Sequence, residues 1–223
     1  MNTSMMSSQQ DIVLSYHDVL IRRSDLKTLE DHSWLNDIII GFYFDHLERE
    51  KAQEFTGKIV LASPELTQLL KLMEIQDYPG ILDSRITEKT DFVFFPVNNC
   101  DDREDPGGAH WSLLVYSRSE ASCFHFDSST GFNRTISQQF SRKIMKFMNG
   151  GRGKGFVEVR CPQQGNSYDC GIFVLCFAER ILEILKASGR VDGCDLRGIE
   201  TEANGMREKI LELIRHLSAD GEK

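Results

Sequence analysis

Apolar residues along this chain recur with two periods, and the alternation between them predicts helices packed against strands. Over 34–50 the positions Leu35, Ile38, Ile39, Phe42 and Leu47 return at helical spacing, with Asp31 and Ser33 as candidate caps. Ser63-Pro64-Glu65 predicts a second helix reaching about residue 73, with Ser as N-cap, Pro at the first helical position and Glu in the first turn. Ile136, Phe140, Ile144, Phe147 and Met148 form a third stripe, and Met206, Ile210, Leu213, Ile214 and Leu217 a last one. Between 172 and 185 the chain is apolar almost all round, as in a helix sunk in a core.

Strand signals fill the intervals. Ile12 to Leu14 opens the ordered chain, and 92–97 is a continuous apolar run in which Pro96 argues against a central ladder position. Residues 110–116 and 123–127 read as two strands joined by a short polar turn, suiting a hairpin, and 156–160 as another, stopped by Pro162. The polar, glycine-containing stretch 188–205 reads as a loop. Without an internal repeat or a long linker, the pattern predicts one domain over 11–218, with 1–10 as a disordered tail and 219–223 as a short C-terminal tail.

Composition narrows the function classes. The 223 residues are 40% hydrophobic and 27% charged, ordinary for a globular domain, and the net charge of −8 disfavours nucleic acid and favours a partner with a basic patch. The six cysteines, at 100, 123, 161, 170, 176 and 194, contain no CxxC pair, so neither a metal site nor a disulfide framework is expected. No signal-like or membrane-length apolar segment occurs, which predicts a cytoplasmic or nuclear protein with no membrane association. The glycine-rich stretch 150–155 lacks the spacing and the hydroxyl residue of a phosphate-binding loop.

The chemistry concentrates where a polar loop, Gln163-Gln164-Gly165-Asn166-Ser167-Tyr168-Asp169, delivers Cys170 to the start of the buried helix. Free N–H groups and the positive end of the helix dipole favour a thiolate there, and the Gln and Asn side chains upstream are donors of the kind an oxyanion needs. His110 opens one strand and Asp127 closes the next; in an antiparallel pair those ends are neighbours. Cys170 as nucleophile, His110 as base and Asp127 as its orienter would make a thiol-protease triad. Taken singly, each has a plainer reading: a buried thiol, a satisfied strand histidine, a turn-opening aspartate. Trp34 and Trp111 are compatible with ordinary packing and equally with two flat walls admitting an extended, side-chain-free peptide.

These motifs together, Gly107-Gly108-Ala109-His110-Trp111-Ser112, Phe124-His125-Phe126-Asp127-Ser128, and Gln164 six residues before Cys170-Gly171, resemble the Ulp1-type sentrin/SUMO-specific cysteine proteases, as does Ser33-Trp34-Leu35-Asn36-Asp37. The order His, Asp, Cys is that family's. The chain is most similar to its deneddylase branch, through Val13-Leu14-Ser15-Tyr16, Arg23-Ser24-Asp25 and Ser63-Pro64-Glu65-Leu66-Thr67-Gln68. The resemblance implies an α+β fold of the papain-like superfamily, a mainly antiparallel sheet packed by helices, with the nucleophile at the N-terminus of a buried helix. It implies cleavage after the C-terminal Gly-Gly of a ubiquitin-like modifier, most simply the neddylation modifier, with SUMO as the alternative, by a monomer acting on precursor and on conjugates such as cullins, without cofactor or metal. It assigns Gln164 to the oxyanion, Trp34 and Trp111 to a diglycine tunnel, and Asp37 either to a basic substrate surface or to a solvated helix turn. An acyltransferase using the same triad, or a modifier-binding module that does not cut, are the readings from other classes.

Overall fold

The computed structural model describes residues 11–55, 58–82, 85–87, 89–101 and 107–220. The tail expected over 1–10 lies outside these residues, as do 221–223. Strands β1 (Ile12–Tyr16) and β2 (Val19–Arg22) form a small antiparallel hairpin. A second sheet orders β3 (Ile59–Leu61), β4 (Phe92–Asn98), β5 (Trp111–Ser117), β6 (Ser122–Phe126) and β7 (Gly155–Val159) in sequence. It is mixed: the central pairs β4–β5 and β5–β6 are antiparallel, whereas the outer pairs β3–β4 and β6–β7 are parallel. The antiparallel character expected of the sheet therefore holds for its centre alone.

Helices cover both faces, which is why β4 is apolar at nearly every position rather than at every second one. Phe92, Phe94, Leu113, Val115, Phe124 and Phe126 face a core shared with α1 (Asp37–Lys51), α4 (Cys170–Ser188) and α5 (Ile199–Asp220). Val93, Phe95, Val97, Leu114, Tyr116 and Cys123 turn the other way, toward α2 (Pro64–Leu72) and α3 (Arg134–Asn149).

Pro96 lies within the ladder, opposite Leu113, contrary to the expectation drawn from its missing N–H. The geometry explains it. The Phe92 N–H donates to Lys58 O and Phe94 O accepts from Ala62, so these residues direct their amides toward β3. A period of two sends the Pro96 nitrogen the same way, beyond Leu61 where β3 stops, and no hydrogen bond is lost.

Two boundaries differ from the expected ones. The cap of α1 is Asn36, whose Oδ1 accepts from the Ile39 N–H at 3.1 Å, not Asp31 or Ser33. Trp34 thus stands before the helix, outside any regular element. The stretch 188–205 is a loop only as far as residue 198, since α5 begins at Ile199, where fully buried Ile199 continues the stripe of Met206 and Ile210 about two turns earlier; α5 also runs through Asp220, two residues into the expected tail. Ser63 does cap α2, accepting from Leu66 N–H at 3.2 Å with Pro64 following.

Helix α4 is buried along most of its length, and its one deeply placed charge is satisfied from two neighbours. Glu179 accepts from the Tyr43 hydroxyl of α1 at 2.9 Å and from Lys209 of α5 at 2.7 Å, with Lys51 on the same carboxylate. Burial works against its charge, and the two ammonium groups more than compensate, holding its pKa below the usual glutamate value. The central helix is thereby tied to both flanking ones.

Candidate active site

Cys170 is the first residue of α4 and 2% exposed. The turn before it is fixed by side chains. Asn166 Oδ1 accepts from the Tyr168 and Asp169 N–H groups at 3.1 and 3.0 Å, and its Nδ2 donates to Asp169 at 2.7 Å. Arg207 of α5 holds the other Asp169 oxygen at 2.6 Å and also donates to the carbonyls of Thr28, Glu30 and Ser33. One guanidinium therefore joins the turn before the thiol to the segment that carries Trp34.

His110 lies just before β5 and Asp127 just after β6, and the antiparallel pairing brings them together. Their side chains, 4% and 1% exposed, meet at 2.6 Å between His110 Nε2 and Asp127 Oδ1. Asp127 also accepts backbone N–H bonds from Ser129 at 3.0 Å and Asn133 at 2.9 Å. Burial disfavours its charge, yet these three donors together keep its pKa below the ordinary aspartate value. An ionised Asp127 only accepts, so His110 Nε2 carries the proton and Nδ1 is left for Cys170. For His110 too, burial opposes the charged form, but the hydrogen bonds with Asp127 and with the Cys170 side chain prevail and raise its pKa to about 9.

Gln164 and Gln163 are separated by their partners. Gln163 Nε2 donates to Asp127 O and Cys161 O, and its Oε1 accepts from Thr130, so this side chain braces the turn after Asp127. Gln164 Oε1 accepts from Ser128 at 2.7 Å and its Nε2 donates to Asn166 O at 2.6 Å, which leaves the second N–H of that amide for a ligand.

A cleft of about 900 Å³ opens over the thiol, with Cys170 and His110 in its lining and Trp34, Trp111 and Asp37 along it. Trp34 is 48% exposed, so core packing does not account for it. Asp37 is exposed at the first turn of α1, its Oδ1 accepting from Ile38 N–H. Of the cysteines only Cys100 and Cys170 line this cleft. Burial pushes the Cys123 thiol far up, Cys161 and Cys176 to about 12 and Cys194 to about 11, so none of these offers a thiolate near neutral pH. Among the described residues no three His, Cys, Asp or Glu side chains group as a metal site.

The approach to His110 depends on Gly108, whose φ of +124° disfavours any side chain and whose added Cβ would stand 1.9 Å from Asn98 Oδ1. Gly108→Ala is expected to cost about 2 kcal/mol or more of stability and to reduce turnover, because Asn98 and His110 cannot both keep their places. Paired thermal denaturation and turnover measurements check this; a variant equal to wild type in both would refute the steric argument.

Sequence reasoning did not single out Asn133 or Arg207. Asn133, fully buried, donates through Nδ2 to Val97 O and Ser112 Oγ at 3.0 Å while its N–H serves Asp127. The sequence marks it by its place six residues after Asp127, at the start of a helix stripe, and by a formal Asn-Arg-Thr sequon that has no bearing on this role.

Comparison with known proteins identifies the family. Residues 33–217 match the model of the Ulp1 protease family, C-terminal catalytic domain. The chain is similar to sentrin-specific protease 8 of Mus musculus, 38% identical over 180 residues covering 78% of this chain and 79% of the relative. It is also similar to NEDD8-specific protease 1 of Arabidopsis thaliana, 32% identical over 222 residues covering 96% and 97%. Among solved structures, the C-terminal Ulp1 protease domain in complex with Smt3, the yeast ortholog of SUMO, superposes with a TM-score of 0.69 at 23% identity, covering 98% of this chain and 96% of that one.

Proposed function

Because the chain belongs to the Ulp1 protease family, a family of cysteine proteases, we propose that it is a deneddylase, cleaving after the C-terminal Gly-Gly of the neddylation modifier in lysine-linked conjugates and in the precursor. The observation that carries this reading is a buried His110–Asp127 pair beside Cys170 in a cleft walled by two indoles. Such walls suit a diglycine, since residues without a Cβ let the backbone pass between closely spaced rings. The choice of modifier rests on relatives named for sentrin-specific protease 8 and for NEDD8 specificity.

In this mechanism His110 Nδ1 takes the Cys170 proton and the thiolate attacks the glycyl carbonyl. The oxyanion is met by the Cys170 N–H, free at the first position of α4, and by the open N–H of Gln164. The C–N bond then breaks, His110 returns its proton to the departing amine, and water, activated by the same imidazole, hydrolyses the thioester. Trp34 and Trp111 hold the diglycine, and Asp37 contributes negative charge at the mouth for a basic patch on the modifier. The enzyme acts as a monomer on conjugates such as cullins in the cytoplasm or nucleus. Among the described residues no helix is long and apolar enough to cross a membrane.

The test is side-by-side reaction with neddylation modifier, SUMO and ubiquitin carrying electrophilic C-termini. The first is expected to label Cys170 fastest. Labelling by SUMO alone would replace the modifier assignment and keep the protease, and no labelling by any of the three would overturn the reading entirely.

A further inference from the structure

A peptidase of this kind must house two halves of its substrate, and the cleft over Cys170 accounts for only the acyl half. The amine half leaves past the group that protonates it, which here is His110. One apolar side chain stands at that place. The Phe132 ring lies with its centroid 4.9 Å from that of His110, tilted by 51°, and remains 59% exposed. It is not part of the lining of the cleft that holds Trp34 and Trp111.

Exposure of a single phenylalanine is commonplace on a protein surface. What distinguishes Phe132 is that the turn presenting it is braced to the catalytic groups at every step. Its N–H donates to Ser129 O at 3.0 Å. The Ser129 N–H is bound by Asp127, Thr130 donates twice to Gln163, and Ser128 donates to Gln164. The ring is therefore held in register with both the proton donor and the oxyanion donor, tilted beside the imidazole and largely open to solvent.

We propose that Phe132 is a leaving-group subsite, a shelf on which the alkyl stem of the substrate lysine packs while His110 protonates its Nζ. This rests on the reading of the protein as an isopeptidase and specifies how that site tells a lysine side chain from other amines. A lysine offers four methylenes between its Nζ and its own backbone, an apolar length that an aromatic side chain beside the proton donor is suited to cover. The contact forms with the acyl carbonyl already seated, so it aligns the C–N bond with the imidazole rather than adding affinity for the modifier itself.

The experiment compares wild type, Phe132→Ala and Phe132→Leu in two reactions. One is covalent labelling by a modifier with an electrophilic C-terminus, which reports on Cys170, His110 and the acyl cleft without any amine leaving group. The other is cleavage of the modifier joined to a short peptide through lysine, or through the shorter diaminopropionic acid. Phe132→Ala is expected to label at the wild-type rate but to lose about tenfold in kcat/KM on the lysine conjugate, with Leu restoring most of it, and to no longer favour lysine over the shorter stem. An equal loss in both reactions would show that the ring acts only through His110, and no loss in either would show that it touches nothing; each overturns the subsite. Wild type inert toward labelling would instead overturn the underlying protease reading.

Discussion

Cys170→Ala is expected to reduce cleavage of a lysine-linked conjugate by about four orders of magnitude or more while leaving the conjugate bound. The thiol is 2% exposed at the head of a helix whose remaining residues are fixed by core packing, so removing one sulfur atom disturbs little else. Trp34, Trp111 and the open Gln164 amide keep their positions, and affinity for the modifier, measured by calorimetry, stays near that of the unreacted wild-type enzyme. The variant should act as a trap. Residual turnover within tenfold of wild type would mean that another thiol attacks, and Cys100, which lines the same cleft, is where to look.

Asp127→Asn is expected to lower kcat/KM by about a hundredfold or more, although the replacement is nearly isosteric. All three donors around the carboxylate constrain the amide that replaces it. If its oxygen faces His110 and Ser129, its NH2 points at the Asn133 N–H. If it flips, the NH2 meets His110 Nε2, the imidazole must carry its proton on Nδ1, and it can no longer accept one from Cys170.

Stability should register the same change. The raised pKa of His110, about 9, means its imidazolium contributes stability that is fully present below the unfolded value near 6.5 and is lost as pH rises through 9. Asp127, with its pKa lowered, contributes stability present above its unfolded value and lost only in acid. Wild type should therefore lose stability between about pH 6.5 and 9 by more than Asp127→Asn does. Denaturant unfolding of both proteins at pH 6 and pH 10 measures it, and identical pH dependence would contradict the pairing.

What was legible beforehand follows the range over which each interaction acts. His110 and Asp127 flank adjacent strands joined by a short turn, so a period of two and one hairpin place them together. Cys170 announces itself where polarity changes abruptly. Asn36 was harder to read, because several polar residues precede α1 and only the backbone geometry selects one as the cap. The parallel outer pairs β3–β4 and β6–β7 join strands far apart in sequence, with no turn to mark them. The helical start at Ile199 was hidden by polar residues around a single apolar anchor. Arg207 leaves no trace at all: its partner Asp169 is 38 positions away, and nothing in its stripe separates it from the other basic residues of α5.

That arginine also sets an order of events. Synthesis proceeds from the N-terminus, so His110, Asp127, Gln164 and Cys170 have all left the ribosome before Arg207 does. Until it arrives, Asp169 has no counter-ion and the segment bearing Trp34 has no anchor on α5. A nascent chain that stops short of α5 thus carries His110, Asp127, Gln164 and Cys170 without the ion pair that holds the turn before the thiol, and the proposed hydrolytic site is complete only once this helix has been translated.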